Sequence, residues 1–179
     1  MITRNGNTIF GMISFGMSMS SQNANNRIRN INNSTCYSSG SSLSNVYLNK
    51  IANPIDFTTS PTSSASGLFL WIGNGDTLTP LSKYNYDLGN RYDIADLGIG
   101  TQIMTFDNNG RPIISAIFTN NTQSSMIINE VGLFGKTSSL SIDDSEDLTK
   151  ILLLGRELIT ATTLEPNTSI KVNFKLGVS

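Results

Sequence analysis

The chain has 179 residues, 38% hydrophobic and only 14% charged, with 12 basic against 13 acidic side chains, no histidine and a single cysteine, Cys36. Lys and Arg are scattered singly, which argues against nucleic acid or a charged membrane surface as partner. The missing histidines remove the commonest general base and metal ligand, and one thiol builds neither an intrachain disulfide nor a zinc site.

Ser, Thr and Asn supply roughly a third of the chain, far above average usage. They favour turns and solvated strand faces and weaken helix interiors. No apolar run approaches the ~20 residues of a membrane-spanning helix. The amino-terminal MITRNGNTIFGMISFGMSMS is interrupted by Asn, Ser and Gly and makes a poor signal peptide.

Taken in order, residues 1–66 are Asn- and Ser-rich, with low-complexity patches at 17–33 and 38–44. Within them, 8–15 (TIFGMISF) and 46–51 (VYLNKI) have the composition of short strands, and 57–66 (FTTSPTSSAS) that of a linker. Apolar residues such as Ile9, Phe10, Ile13 and Phe15 favour an extended assembly arm over a purely flexible tail.

Residues 67–179 read as strand after strand. Gly67–Gly73 (GLFLWIG) is a continuous apolar run ended by the turn Gly73-Asn74-Gly75-Asp76. Residues 79–90 (TPLSKYNYDLGN) hold one short helical turn, with Pro80 in its first turn and Ser82 as cap. Residues 101–106 and 112–118 flank Asp107-Asn108-Asn109-Gly110 and predict a hairpin. Strands follow at 126–135 and 151–159, separated by a polar loop over 136–150. Pro166-Asn167 is a turn, and 169–176 alternates Ile170, Val172, Phe174 and Leu176 against Lys171, Asn173 and Lys175. Such alternation belongs to an antiparallel sheet with one wet face. The fold expected is all-β: an antiparallel β-sandwich over 67–179 with an extended, partly irregular N-terminal arm over 1–66.

One carboxylate falls inside an apolar strand: Glu130 in SMIINEVGLFG. Its natural complement is Arg156 in ILLLGREL. If these strands form a hairpin, the two lie opposite or diagonal, and Arg–carboxylate pairing makes Glu130 structural. A catalytic acid needs a second acid or polarising group, and the nearest, Glu157, faces away from Arg156 by alternation.

The acidic cluster 143–147 (DDSED) and the 107–110 turn lack the spacing of an EF-hand and read as solvated loop tips. Gly73–Asp76 lacks the Lys-Ser/Thr or the third glycine of a phosphate loop. Trp71 reads as core or as a sugar platform, and Tyr84, Tyr86 and Tyr92 as a contact surface. No catalytic set, cofactor or metal site emerges, so the chain is expected not to be an enzyme.

A larger pattern joins these segments. LFLWIGNGDTLTPLSKYNYDL is followed by IISAIFTNNTQSSMIINEVGLFG, a variable acidic loop, LLLGREL and a closing PNTSIKVNF strand. This series resembles small β-sandwich virion proteins of tailed bacteriophages, over about residues 67–178. Glu130-Val131-Gly132-Leu133 and Arg156 lie in its two most characteristic segments. The resemblance implies a non-enzymatic, multi-copy structural subunit, assembled in the host cytoplasm into the neck, tail or capsid surface. Its expected partners are copies of itself, in a ring or trimer, and other virion proteins. A receptor- or carbohydrate-binding adhesin or head-fibre module is the competing expectation.

Overall fold

The computed structural model describes residues 2–3, 28–29, 31, 35–37, 67–75, 87–100, 102–136, 141–142 and 151–175. Runs of aliphatic and aromatic residues, cut by Gly, Asn and Pro, favour strands over helices. Among the described residues they form β1 (Ile28–Arg29), β2 (Thr35–Tyr37), β3 (Gly67–Gly73), β4 (Leu97–Ile99) and β5 (Ile103–Phe106). The chain continues through β6 (Pro112–Asn120), β7 (Met126–Lys136), β8 (Ser141–Ile142), β9 (Ile151–Leu164) and β10 (Ser169–Lys175).

The fold is an all-β sandwich of antiparallel sheets. One sheet has the order β3-β7-β9. The other centres on β6, with β10 on one side and β4 and β5 in succession on the other. A small third sheet, β1-β2-β8, ties the amino-terminal region to the segment between β7 and β9.

Alternation sorts the β6 sheet cleanly. Ile114, Ala116 and Phe118 of β6 and Val172 and Phe174 of β10 point inward and are buried. Lys171, Asn173 and Lys175 point out, as a one-sided antiparallel sheet requires. The β3-β7-β9 sheet is different: every residue of β3 is buried, so neither of its faces is wet. Leu70, Ile72, Val131 and Leu133 share one face, and Phe69, Trp71 and Phe134 the other. Phe69 and Phe134 stack at 5.9 Å, with Trp71 edge-on to Phe134 at 5.7 Å.

Sheet edges expose unpaired backbone groups, and this protein covers several. On the free side of β3, the Leu70 N–H donates to the Gln102 Oε1 at 2.8 Å. The Tyr92 N–H donates to the Ile72 carbonyl and the Asn74 N–H to the Asn90 carbonyl. On the outer side of β9, Ile2 pairs with Gly155, the Thr3 N–H donates to the Leu154 carbonyl, and the Ile31 N–H to the Ile151 carbonyl.

Asn120 joins the end of β6 to two loops. Its Nδ2 donates to the Ser124 and Leu164 carbonyls, and its Oδ1 accepts from the Thr122 N–H and hydroxyl. Its backbone N–H donates to Thr168 and its carbonyl accepts from Asn167. The last of these turns is helped by Asn167 itself, whose φ of 58° suits an Asn better than most residues.

Several expectations need correction. The 17–33 and 136–150 stretches, read as low-complexity sequence and loop, contain β1 and β8. The strand β4 and the 3-10 turn Ile94–Asp96 were not expected. That turn is capped by Asp93, which accepts from the Ala95 N–H. β9 runs to Leu164, five residues beyond its expected end at 159. The strands expected at 8–15 and 46–51, the linker at 57–66 and residues 79–86 of the expected helical turn lie outside the described residues.

Truncation of Asn120 to Ala should leave the Leu164 carbonyl and the Thr122 N–H without their side-chain partner, while the Thr122 hydroxyl can still donate to the Ser124 carbonyl. We expect a loss of about 3 kcal/mol in urea unfolding. A loss under about 1 kcal/mol would show that these loops hold without it.

Candidate functional site

The polar centre of the molecule is built on β7 and β9. Arg156 lies opposite Gly132, and Glu130 opposite Leu158, so Glu130 and Arg156 are diagonal neighbours on one face. The Arg156 Nε donates to the Glu130 Oε1. Glu130 is 0% exposed and Arg156 1%. Two irregularities bracket the pair: Ile159, Thr160 and Ala161 oppose Asn129, and Leu154 is an extra residue opposite the Leu133–Phe134 step. Bulges of this kind bend a strand and re-aim side chains. Along β7 itself Ile128, Asn129 and Glu130 are all buried.

The segment before β4 closes over this face. The Glu130 Oε2 accepts the Gly89 N–H at 2.9 Å. The Asn129 Nδ2 donates to the Gly75 carbonyl at 2.8 Å. Neighbouring side chains of β7 thus hold two backbone segments that border residues 76–86. Glycine is required by close approach: a Cβ on Gly75 would sit 2.5 Å from the Glu130 Oε2. A Cβ on Gly132 would meet the Leu88 side chain at 2.8 Å and Leu153 at 2.9 Å. The GNG of the β3 turn is thus shaped to accommodate Glu130 and the Asn90–Arg91 backbone.

A second ion pair extends the network. The Arg91 Nε donates to Asp87 at 3.0 Å, and the Asp87 Oδ1 accepts the Leu88 N–H at 2.8 Å. The Arg91 guanidinium lies 4.0 Å from the Trp71 ring centroid, in cation–π geometry. The Trp71 Nε1 donates to the Tyr92 carbonyl at 2.9 Å. The Tyr92 hydroxyl donates to the Ile127 carbonyl and accepts the Ile127 N–H.

Charge balance explains why these groups tolerate burial. Desolvation pushes the Asp87 carboxyl above its ordinary range, opposed by Arg91, the Leu88 N–H and Arg156. Desolvation pulls Arg156 below its ordinary value, opposed by Asp87. The two carboxylates of Glu130 and Asp87 and the two guanidiniums of Arg156 and Arg91 offset one another in charge.

The sequence-predicted residues divide accordingly. Glu130 and Arg156 meet. Glu157 opposes Val131 on the other face and forms no acid pair with Glu130. Trp71, a candidate contact surface, is core at 3% exposure, because Phe69, Phe134 and Arg91 enclose its ring. Tyr92 is half-buried, with its hydroxyl committed to β7. Tyr84, Tyr86 and the acidic 143–147 segment lie outside the described residues. The 107–110 turn is closed by Asp107, which accepts the Asn109 and Arg111 N–H groups. Asp87 and Arg91 went unnoticed in the sequence, although their i, i+4 spacing in YDLGNRY was the available signal.

E130Q and R156M should each cost about 3–5 kcal/mol, because each strands a buried charge. The double variant should cost clearly less than the sum, as a double-mutant cycle by chemical denaturation would show. Additive losses would mean that the two do not act as a pair.

The two perturbed aspartates should respond to acid in opposite senses. Asp87 has a raised folded pKa, so its ionised form penalises folding at neutral pH. That penalty fades as pH falls through the raised pKa toward 3.8, and wild type should gain stability relative to D87N. Asp107 is lowered, chiefly by the Arg111 N–H, so its contribution exists above 3.8 and is lost as pH falls through its folded value. Wild type should therefore lose stability relative to D107N. Melting curves from pH 7 to pH 3 check both signs.

Comparison with protein-family models, with curated proteins and with solved structures finds no match.

Proposed function

We propose that this chain is a non-enzymatic structural subunit of a tailed-bacteriophage virion. It would occupy the neck, tail or capsid surface in many copies and act through self-association and docking. The observation carrying this reading is the burial of the Glu130–Arg156 pair within the two segments that carry the resemblance to phage sandwich proteins. Its carboxylate is spent on strand register and on the Gly89 backbone, inside a shell that leaves it no solvent.

Rigidity supports the same reading. Three polar devices, the Glu130 network, Asn120 and the Gln102 side chain, lock loops and edges to the sheets. The sugar-binding alternative loses its main platform, because Trp71 is enclosed in the core.

The test is a tagged copy expressed during infection and located on purified particles by electron microscopy. Many copies at one substructure are expected, together with multimers of the isolated protein by light scattering. A monomer that joins no particle would overturn the proposal, and saturable binding on a glycan array would favour the adhesin.

A further inference from the structure

The outer face of the β6 sheet combines exposed aliphatic residues with lysines. Ile103 and Ile117 are 46% and 44% exposed, large values for isoleucine on a regular strand. Ile113 lies on the same face, and Lys171 and Lys175 pair across from Ile117 and Ile113. Some of the polar groups between them are already paired: the Ser115 hydroxyl donates to the Asn173 Oδ1, and the Thr119 and Ser169 hydroxyls share a hydrogen bond. A partner covering this face therefore finds the Ser115 hydroxyl, the Asn173 Oδ1 and the Thr119–Ser169 pair already engaged. No acidic residue occupies an outward position on these strands. The nearby Asp107 is turned onto its own hairpin backbone.

The chain carries a segment of complementary character. Four of its 13 acidic residues, Asp143, Asp144, Glu146 and Asp147, fall within five positions, flanked by Ile142 and Leu148. We propose that the outer face of the β6 sheet receives the 143–147 segment of a second copy, with carboxylates on Lys171 and Lys175 and aliphatic side chains against Ile103 and Ile117. Two different surfaces meet in such a contact, so it is head-to-tail and builds a closed ring or a filament. The inference rests on the proposed self-assembling role and names the surfaces that carry it.

Charge exchange in the full-length protein tests it. K171E/K175E and D143K/D144K each leave one surface mismatched, and each alone should weaken self-association at least about tenfold by light scattering. Mixing the two variants restores a matched partner for every surface and should recover assembly, as should all four changes in one chain. I117K should also weaken association by removing the apolar centre. All these lysines and Ile117 are exposed, so melting temperatures should stay near wild type and separate lost assembly from lost fold. Oligomers unaffected by either charge variant, or no recovery on mixing, would overturn this interface while leaving the subunit role standing. A wild type that is monomeric at every concentration, as when the segment folds onto its own face, would also overturn it. Incorporation of tagged wild type into particles then decides separately whether the subunit role survives.

Discussion

The buried pair of Glu130 and Arg156 is the constraint on which the rest depends. Moving a carboxylate and a guanidinium out of water costs several kcal/mol per ion, and only close geometry with further hydrogen bonds recovers it. The neighbourhood is arranged to meet that condition. Gly132, opposite Arg156, leaves room for the Leu88, Phe134 and Leu153 side chains, Gly75 lets backbone approach Glu130, and the Gly89 N–H donates to the second carboxylate oxygen. Asp87 then balances Arg156 from the covering segment and is itself held by Arg91. Between two irregularities of β9, the pair allows one register of β7 against β9, because a slip of one residue would send one charge to the opposite face.

Burial on both faces of the β3-β7-β9 sheet follows from the same arrangement. A sheet sandwiched only once would keep Trp71, Phe69 and Phe134 wet. Here residues 87–92 cover Trp71, drawn down by Glu130, by Arg91 on the indole and by the Tyr92 hydroxyl on Ile127. Leu88 supplies the apolar contact by packing on Gly132. Polar anchors thus position a loop whose aliphatic contribution alone would be small. The aromatic contacts are worth about 0.5–1.5 kcal/mol each beyond their buried area.

The division of labour between the sheets bears on the proposed role. One sheet is buried on both faces along β3 and the facing part of β7, and it carries the buried charges. The other keeps one face wet, with the Ser115–Asn173 and Thr119–Ser169 side chains hydrogen-bonded and Ile103 and Ile117 exposed. A subunit that docks through a face needs a stiff backing, and the ionic network and Asn120 provide it.

Local sequence determined the strands and their faces. GLFLWIG marked β3 to the residue, because an apolar run between a linker and a Gly-Asn-Gly turn has few other solutions. The alternation of SIKVNFK placed Val172 and Phe174 inward for the same local reason. The Glu130–Arg156 partnership was legible because Arg156 lies on the next long strand, joined to that of Glu130 through a loop. Tertiary structure alone decided the rest. The extra residues of β9 opposite Asn129 and at Leu154 shift the register, which period-two reading cannot see. Short β1, β4 and β8 form because a neighbouring strand offers backbone partners, with no hydrophobic run of their own. Gln102 and Asp87 found their roles by proximity in space, Gln102 reaching across 32 residues to Leu70 and Asp87 placed beside Arg156. Burial of Trp71 likewise required a segment that crosses its face, and no window of sequence around the tryptophan contains that information.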